Sequence, residues 1–178
     1  MTENDYKYAV VDLEATGTGS SAKIIQIGIV LIENGIITKT YETDVNPHEE
    51  LDEHIKELTG LDDERLGRAP EFSQVAAEVY ELIQDAIFVA HNVKFDANLL
   101  AEALFWEGFE LLTPRVDTVE LAQVFYPTFD KYALGNLCEL LEIPLENAHT
   151  ALADAQATAQ LFLKIQEKMA GLPKTLLE

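Results

Sequence analysis

Residues 8–14 read Tyr-Ala-Val-Val-Asp-Leu-Glu, an apolar run ending in two acids that flank a leucine, and turn formers from Thr16 to Ser21 then cut it short. A β-branched apolar run bounded in this way predicts a buried strand over 7–13. The next run, Ile-Ile-Gln-Ile-Gly-Ile-Val-Leu-Ile-Glu, predicts a second strand over 24–33. Asn34-Gly35 is a strong hairpin signal, and a third strand follows over 36–45. Three consecutive strands joined by short turns make an antiparallel meander.

After Asn46-Pro47 the period changes. Polar, acidic, helix-compatible text runs to Pro70, with a short helix over 55–61 closed by Gly60. Phe72, Val75, Val79, Leu82 and Ile83 recur at helical spacing and predict a helix over 71–84. The segment 86–90 is wholly apolar, as expected of a short strand covered on both faces. His91-Asn92 breaks it, and a helix over 95–106 follows. Arg115-Val116 reads as a brief edge strand, with further helices over 118–125, 134–141 and 150–169. A meander followed by alternating helix and strand predicts an α/β layered domain with a mixed sheet.

Composition narrows the class. At 178 residues the chain is one domain by size, assigned here to 1–170, and Gly171-Leu172-Pro173 onward reads as the start of a linker into a following domain. A lone cysteine, Cys138, excludes an internal disulfide and a cysteine-based zinc site, and is expected in the core. No apolar run reaches membrane-spanning length and the N-terminus lacks a signal-peptide layout, so a cytoplasmic location without membrane partners is expected. Net charge is −20, from 12 Lys plus Arg against 32 Asp plus Glu, which argues against an autonomous, tight, non-specific nucleic-acid binder. It leaves open an enzyme that grips only a strand end through bound cations, since the ions supply the local positive charge.

Three stretches place acids or imidazole at the end of an apolar element. In the first, Asp12 and Glu14 are two apart on a strand and share a face, with Leu13 on the other. Two like charges there are either solvated at the strand end or neutralised by a hard divalent cation. The second is His91-Asn92-Val93-Lys94-Phe95-Asp96 and the third His149-Thr150-Ala151-Leu152-Ala153-Asp154. Asn92 and Thr150 are candidate N-caps for the helices that follow them. Asp96 and Asp154 have an ordinary reading as first-turn acids favoured by the helix dipole. Their neighbours are apolar or small, however, so an inward-facing carboxylate at either position requires a counter-charge. Four such acids suit a pair of magnesium or manganese ions. His149 either is a surface or capping imidazole or borders the same site from its loop, where a histidine can accept a proton from water. His48 and His54 lie in an acidic loop and are expected to be exposed.

Asp12-x-Glu14, Asp96 within His-Asn-x-x-Phe-Asp, and His149-x-x-x-x-Asp154 together resemble the three motifs of the DnaQ-like DEDDh family of 3′–5′ exonucleases. The resemblance covers nearly the whole chain in order. Leu58-Thr59-Gly60-Leu61, Asp117-Thr118 and Tyr132-Ala133-Leu134 add to it. It is strongest to the nuclease domain of DinG-type helicase-like proteins, then to the epsilon-type proofreading exonuclease of DNA polymerase III. Ala15 departs from the threonine found there in many relatives. The resemblance implies a ribonuclease-H-like fold, with a mixed five-stranded sheet and helices on both faces. It implies hydrolysis of the terminal phosphodiester at the 3′ end of single-stranded DNA, or RNA, to nucleoside 5′-monophosphates. Asp12, Glu14, Asp96 and Asp154 would hold two Mg2+ or Mn2+ ions, and His149 would take the proton from the attacking water. Leu13, Ala15, Thr16 and Gly17 would line the terminal nucleotide, with Leu58 and Thr59 beside the last bases. His91 and Asn92 would form the adjoining turn, and Phe95 would pack near the sugar or base. A helicase-like or polymerase domain in the full-length protein is the implied partner. A non-catalytic scaffold of the same fold is the alternative, distinguished by releasing no mononucleotides with any divalent ion.

Overall fold

The computed structural model describes residues 6–172. Strands β1 (Lys7–Ala15), β2 (Ile24–Glu33) and β3 (Ile36–Asp44) form the antiparallel meander. Strands β4 (Ile87–Ala90) and β5 (Arg115–Asp117) add in parallel on the far edge of β1, giving a five-stranded mixed sheet in the order β3-β2-β1-β4-β5.

Helices α3 (Phe72–Ile83) and α4 (Val93–Trp106) cover one face, where Val75, Val79, Leu100 and Leu104 pack on Ala9, Val11, Leu13 and Phe88. Helix α7 (Ala151–Ala170) covers the other, through Ala155, Ala159 and Phe162 against Val10, Val30, Ile32 and Val89. Burial on both sides explains why β2 is apolar without alternation. Edge strand β3 is largely exposed and carries Thr, Lys and Glu. Helices α5 (Thr118–Phe125) and α6 (Leu134–Leu140) pack with α7 around a separate apolar cluster, and Cys138 lies in it as a small core residue.

The predicted elements are all present, with shifted ends. β1 continues to Ala15 because the ladder to β2 continues past Glu14 through a bulge. The acidic segment contains α1 (Glu53–Thr59) and a five-residue α2 (Asp63–Gly67), the latter too short to show a period. Two expected caps are absent. Asn92 precedes α4 in the left-handed conformation, φ 71°, and its side chain makes no capping bond. The Thr150 hydroxyl donates back to the Asn147 carbonyl instead of receiving a helix N–H. Of the proposed linker, residues 173–178 lie outside the described residues.

The start of α7 rests directly on β2 at Gly28. A Cβ there would lie 2.4 Å from the Ala151 carbonyl carbon and 2.5 Å from its oxygen, both backbone atoms. Gly28→Ala is therefore expected to lower stability by about 1–3 kcal/mol or more through overpacking. Gly17→Ala, where an added Cβ meets nothing within 4 Å, should stay within about 0.5 kcal/mol of the parent. Urea unfolding followed by circular dichroism separates the two; equal midpoints would mean that α7 does not need this close approach.

Candidate active site

The ladder pairs Asp12 with Gly28 and Glu14 with Gln26. Tyr8 and Val10, on the same side of β1, pack in the α7 cluster, so the two acids that follow them in alternation face the first turn of α7. Asp154 projects from that turn. One carboxylate oxygen from each of Asp12, Glu14 and Asp154 lies within 4.8 Å of the other two.

Asp96 arrives from the other side of the sheet. β4 pairs with β1 only over Tyr8–Val10, so the β1 edge beyond is free of the ladder. The Leu13 N–H donates instead to Asp96 Oδ1 at 2.9 Å, which ties the second motif to the backbone between the two acids of the first. The intervening turn is braced from β5 and α5. Asp117 Oδ1 accepts from Asn92 N at 3.0 Å and from Val119 N at 2.9 Å. His91 Nε2 lies 2.7 Å from the Tyr132 carbonyl, and Nδ1 lies 2.8 Å from the Thr118 hydroxyl. A carbonyl only accepts, so Nε2 carries the proton and Nδ1 accepts from Thr118 in the neutral ring. Burial, only partly offset by the Tyr132 carbonyl and Asp117, lowers the His91 pKa and favours that neutral form.

The acids destabilise one another's charge. Burial, then the charges of Asp154 and Asp96, push Glu14 up to about 8. Asp96 rises to about 7, chiefly by burial. Burial and the other three acids hold Asp12 well above the carboxylate range. Burial also raises Asp154, against the pull of the His149 N–H. Asp12 Oδ2 is buried without a hydrogen-bond partner. An orphaned buried carboxylate oxygen beside two further acids is the donor set a hard divalent cation requires, so the residues present fit metal binding.

The remaining predicted residues divide by position. His149 is exposed in the left-handed region at φ 65°, and its N–H donates to both Asp154 oxygens at 3.1 and 3.3 Å. Ala15, Thr16 and Gly17 are half-buried along the rim, with the Thr16 hydroxyl accepting from Lys23 N. Phe95 and Asn92 line a cavity of about 380 Å³ with Thr18, Asn98 and Leu99. Leu58 is exposed. Three residues offer less than their sequence roles implied. The Leu13 side chain is in the core under α3 and α4, the Thr59 hydroxyl is engaged by Ile55 and Leu61, and both His91 nitrogens are bonded within the protein. Missed on sequence grounds were Gln26 and Gly28, which read as part of an apolar strand. The available signal was an amide and a glycine two apart in an otherwise unbroken run of Ile, Val and Leu.

A mixed sheet with helices on both faces thus carries clustered carboxylates at the ends of β1, α4 and α7. The RNase_T exonuclease family matches residues 9–162, and the chain belongs to that family. It is 39% identical over 173 residues to the 3′-5′ exonuclease DinG of Bacillus subtilis (strain 168), covering 96% of this chain and 19% of that protein. The chain thus spans about a fifth of the length of that relative. Among solved structures, the nuclease domain of 3′hExo, a DEDDh family member bound to rAMP, superposes with a TM-score of 0.79 at 17% identity, over 94% of each chain. Exonuclease X in complex with 5′ overhanging duplex DNA gives 0.76 at 22% identity, over 93% of this chain and 94% of that one. Among the described residues no helix is long and apolar enough to cross a membrane.

In the metal-free protein Glu14 and Asp96 hold protons to about 8 and about 7, against ordinary values of 4.5 and 3.8. The folded state then binds more protons than the unfolded chain across that window, so stability falls as pH rises through it. Melting temperature in chelator is expected to drop between about pH 5 and pH 8, and Mn2+ should restore it at the alkaline end. Asp12→Asn should melt higher than the parent in chelator at the alkaline end, by about 2–4 °C for each kcal/mol of repulsion relieved. Parallel melting profiles for parent and variant would show that the cluster stores no repulsion.

Proposed function

We propose that this chain is a 3′–5′ exonuclease that hydrolyses the last phosphodiester of a single-stranded nucleic acid, DNA in the first instance, and releases a nucleoside 5′-monophosphate. The observation that carries this reading is the set of three carboxylates within 4.8 Å, one with an orphaned buried oxygen, and a fourth acid fixed beside them. Asp12, Glu14, Asp96 and Asp154 would hold a pair of divalent cations, Mg2+ or Mn2+. Bound there, such ions activate water for attack and stabilise charge on the departing oxygen.

The chain's own residues supply the rest. The N–H bond from His149 to Asp154 holds the histidine at the cluster's edge. Among the described residues no hydrogen bond engages its ring, so the imidazole is free to take the proton as the water oxygen bonds to phosphorus. The bond from phosphorus to the 3′ oxygen breaks, and that oxygen acquires a proton from solvent. Phe95, which precedes Asp96, and Asn92 wall the cavity of about 380 Å³, and Leu58 offers exposed apolar surface to a base. The backbone of Ala15, Thr16 and Gly17 flanks the terminal nucleotide. Gly17 has neither a left-handed φ nor a close neighbour, so the fold alone does not call for glycine there, and a substrate in close approach does. His91, Thr59 and Leu13 act behind these contacts. Residues 1–170 would serve as the nuclease unit of a longer, DinG-type protein, whose other parts hold the polymer that a chain of net charge −20 does not attract.

A time course with 5′-labelled single-stranded DNA, run beside its RNA counterpart in Mg2+, Mn2+ or chelator, tests this. A metal-dependent ladder shortening from the 3′ end is expected, with turnover reduced about 100-fold or more in His149→Ala, the scale for a lost general base. An unchanged ladder in that variant would remove His149 from the chemistry. No cleavage of either strand under any metal would favour a scaffold role.

A further inference from the structure

Helix α7 carries Asp154 in its first turn and is preceded by His149, yet it starts without a cap of its own, since the Thr150 side chain bonds elsewhere. Its first amide is satisfied across the fold: Ala151 N donates to Gln26 Oε1 at 2.8 Å. Gln26 is 1% exposed. Its amide nitrogen donates to Asp44 Oδ1 at 2.9 Å, on the neighbouring strand. Arg65 of α2 grips Asp44 in turn, with Nε on Oδ2 at 2.6 Å and Nη2 on Oδ1 at 3.1 Å. Asp44 accepts only, so it fixes which end of the Gln26 amide turns toward α7.

We propose that Gln26, oriented by Asp44 and Arg65, is a positioning residue for the active site: it sets the height and direction of the start of α7, and with it Asp154 and the backbone of His149. The assignment rests on the nuclease reading above. Its logic is the residue type. The position needs an acceptor for the Ala151 N–H and a donor for Asp44 on one buried side chain, and a neutral amide supplies both. Glutamate would face the Asp44 carboxylate at the distance of a hydrogen bond, with no proton between them. Methionine would leave the Ala151 N–H and an Asp44 oxygen without partners in a buried site. Gly28, two residues on and on the same face, lets the helix sit close enough for the contact. Because Gln26 is paired with Glu14 in the ladder, any shift of α7 against β2 also changes the separation of Asp154 from the β1 acids.

The test uses the whole chain with Gln26→Met, Gln26→Glu and the double variant Gln26→Glu/Asp44→Asn. In the double variant the new amide donates to the new carboxylate, which still accepts from Ala151 N, and the oxygen of that amide keeps the Arg65 Nε contact while the Nη2 contact is lost. Mn2+ binding is measured by calorimetry without substrate, beside melting temperature, and turnover is measured on the 5′-labelled strand across Mn2+ concentrations. Both single variants should weaken Mn2+ binding by about 10–100-fold and raise the Mn2+ needed for half-maximal turnover in parallel, the scale for residues that orient metal ligands from behind. The double variant should recover most of that loss, which a merely structural role would not produce. Mn2+ binding unchanged in folded single variants, or a double variant no better than Gln26→Glu, would overturn the proposal. If Gln26→Met does not fold, the Gln26→Glu pair decides. If the parent binds Mn2+ but cleaves nothing, the nuclease reading fails while calorimetry still reports on Gln26.

Discussion

Asp12, Glu14 and Asp154 are held with carboxylate oxygens within 4.8 Å, and Asp96 beside them, at the end of a strand that is covered on both faces. Mutual repulsion in a poorly solvated site opposes this arrangement, and the fold has to hold it against that force. The neutral donors the protein contributes are backbone N–H groups, from Leu13 to Asp96 and from His149 to Asp154. Among the described residues no lysine or arginine forms an ion pair with any of the four acids. The positive charge that balances the cluster is thus left to come from outside the chain, which is the condition for a metal site rather than a buried salt-bridge network.

Holding the acids in place falls to groups that grip backbone. On one side Asp117, Thr118 and the Tyr132 carbonyl lock the left-handed turn at Asn92, and Asp96 follows within a turn of helix. On the other, Gln26 and the bare Cα of Gly28 seat the start of α7. Both braces reach the site from a neighbouring strand or loop, so Asp96 and Asp154 are each positioned by an element other than their own. That arrangement suits a site whose geometry must persist when charge builds up, since preorganised groups need no rearrangement at the moment of reaction. His149 differs. It is exposed and its link to the cluster is a pair of longer N–H contacts, which leaves the imidazole room to turn.

Much of this was legible along the chain. The period-two placement of Asp12 and Glu14 puts both on one face whatever the rest of the fold does, and the helical period put Asp96 and Asp154 into first turns. What stayed hidden depends on separations that no local pattern encodes. Leu13 and Asp96 are 83 residues apart, and Gln26 and Ala151 are 125. The two cap assignments failed for the same reason: Asn92 and Thr150 are cap-forming types at cap positions, but tertiary partners reached the helix or turn first. Helix α2 was invisible because five residues show no periodicity, yet it supplies Arg65 to the Gln26 network.

The acidity of the chain and the proposed chemistry are compatible on a single condition, that contact with a polyanion be confined to one end of it. At a net charge of −20 the surface field repels an approaching strand over roughly a Debye length, about 8–10 Å at physiological salt. Inside that range the carboxylate cluster, once loaded with divalent cations, reverses the local sign over a small area. The cavity of about 380 Å³ is lined by Phe95, Leu99, small polar groups and one charge of each sign, Lys94 and Glu102, so on the proposed reading it would favour bases by apolar contact over phosphates by charge. On the proposed reading a terminal nucleotide suits such a surface because it brings few phosphates with its base. A continuous duplex presents a phosphate array that the same surface opposes. Selection for an end would then follow from where the chain lacks positive charge as much as from the shape of the site.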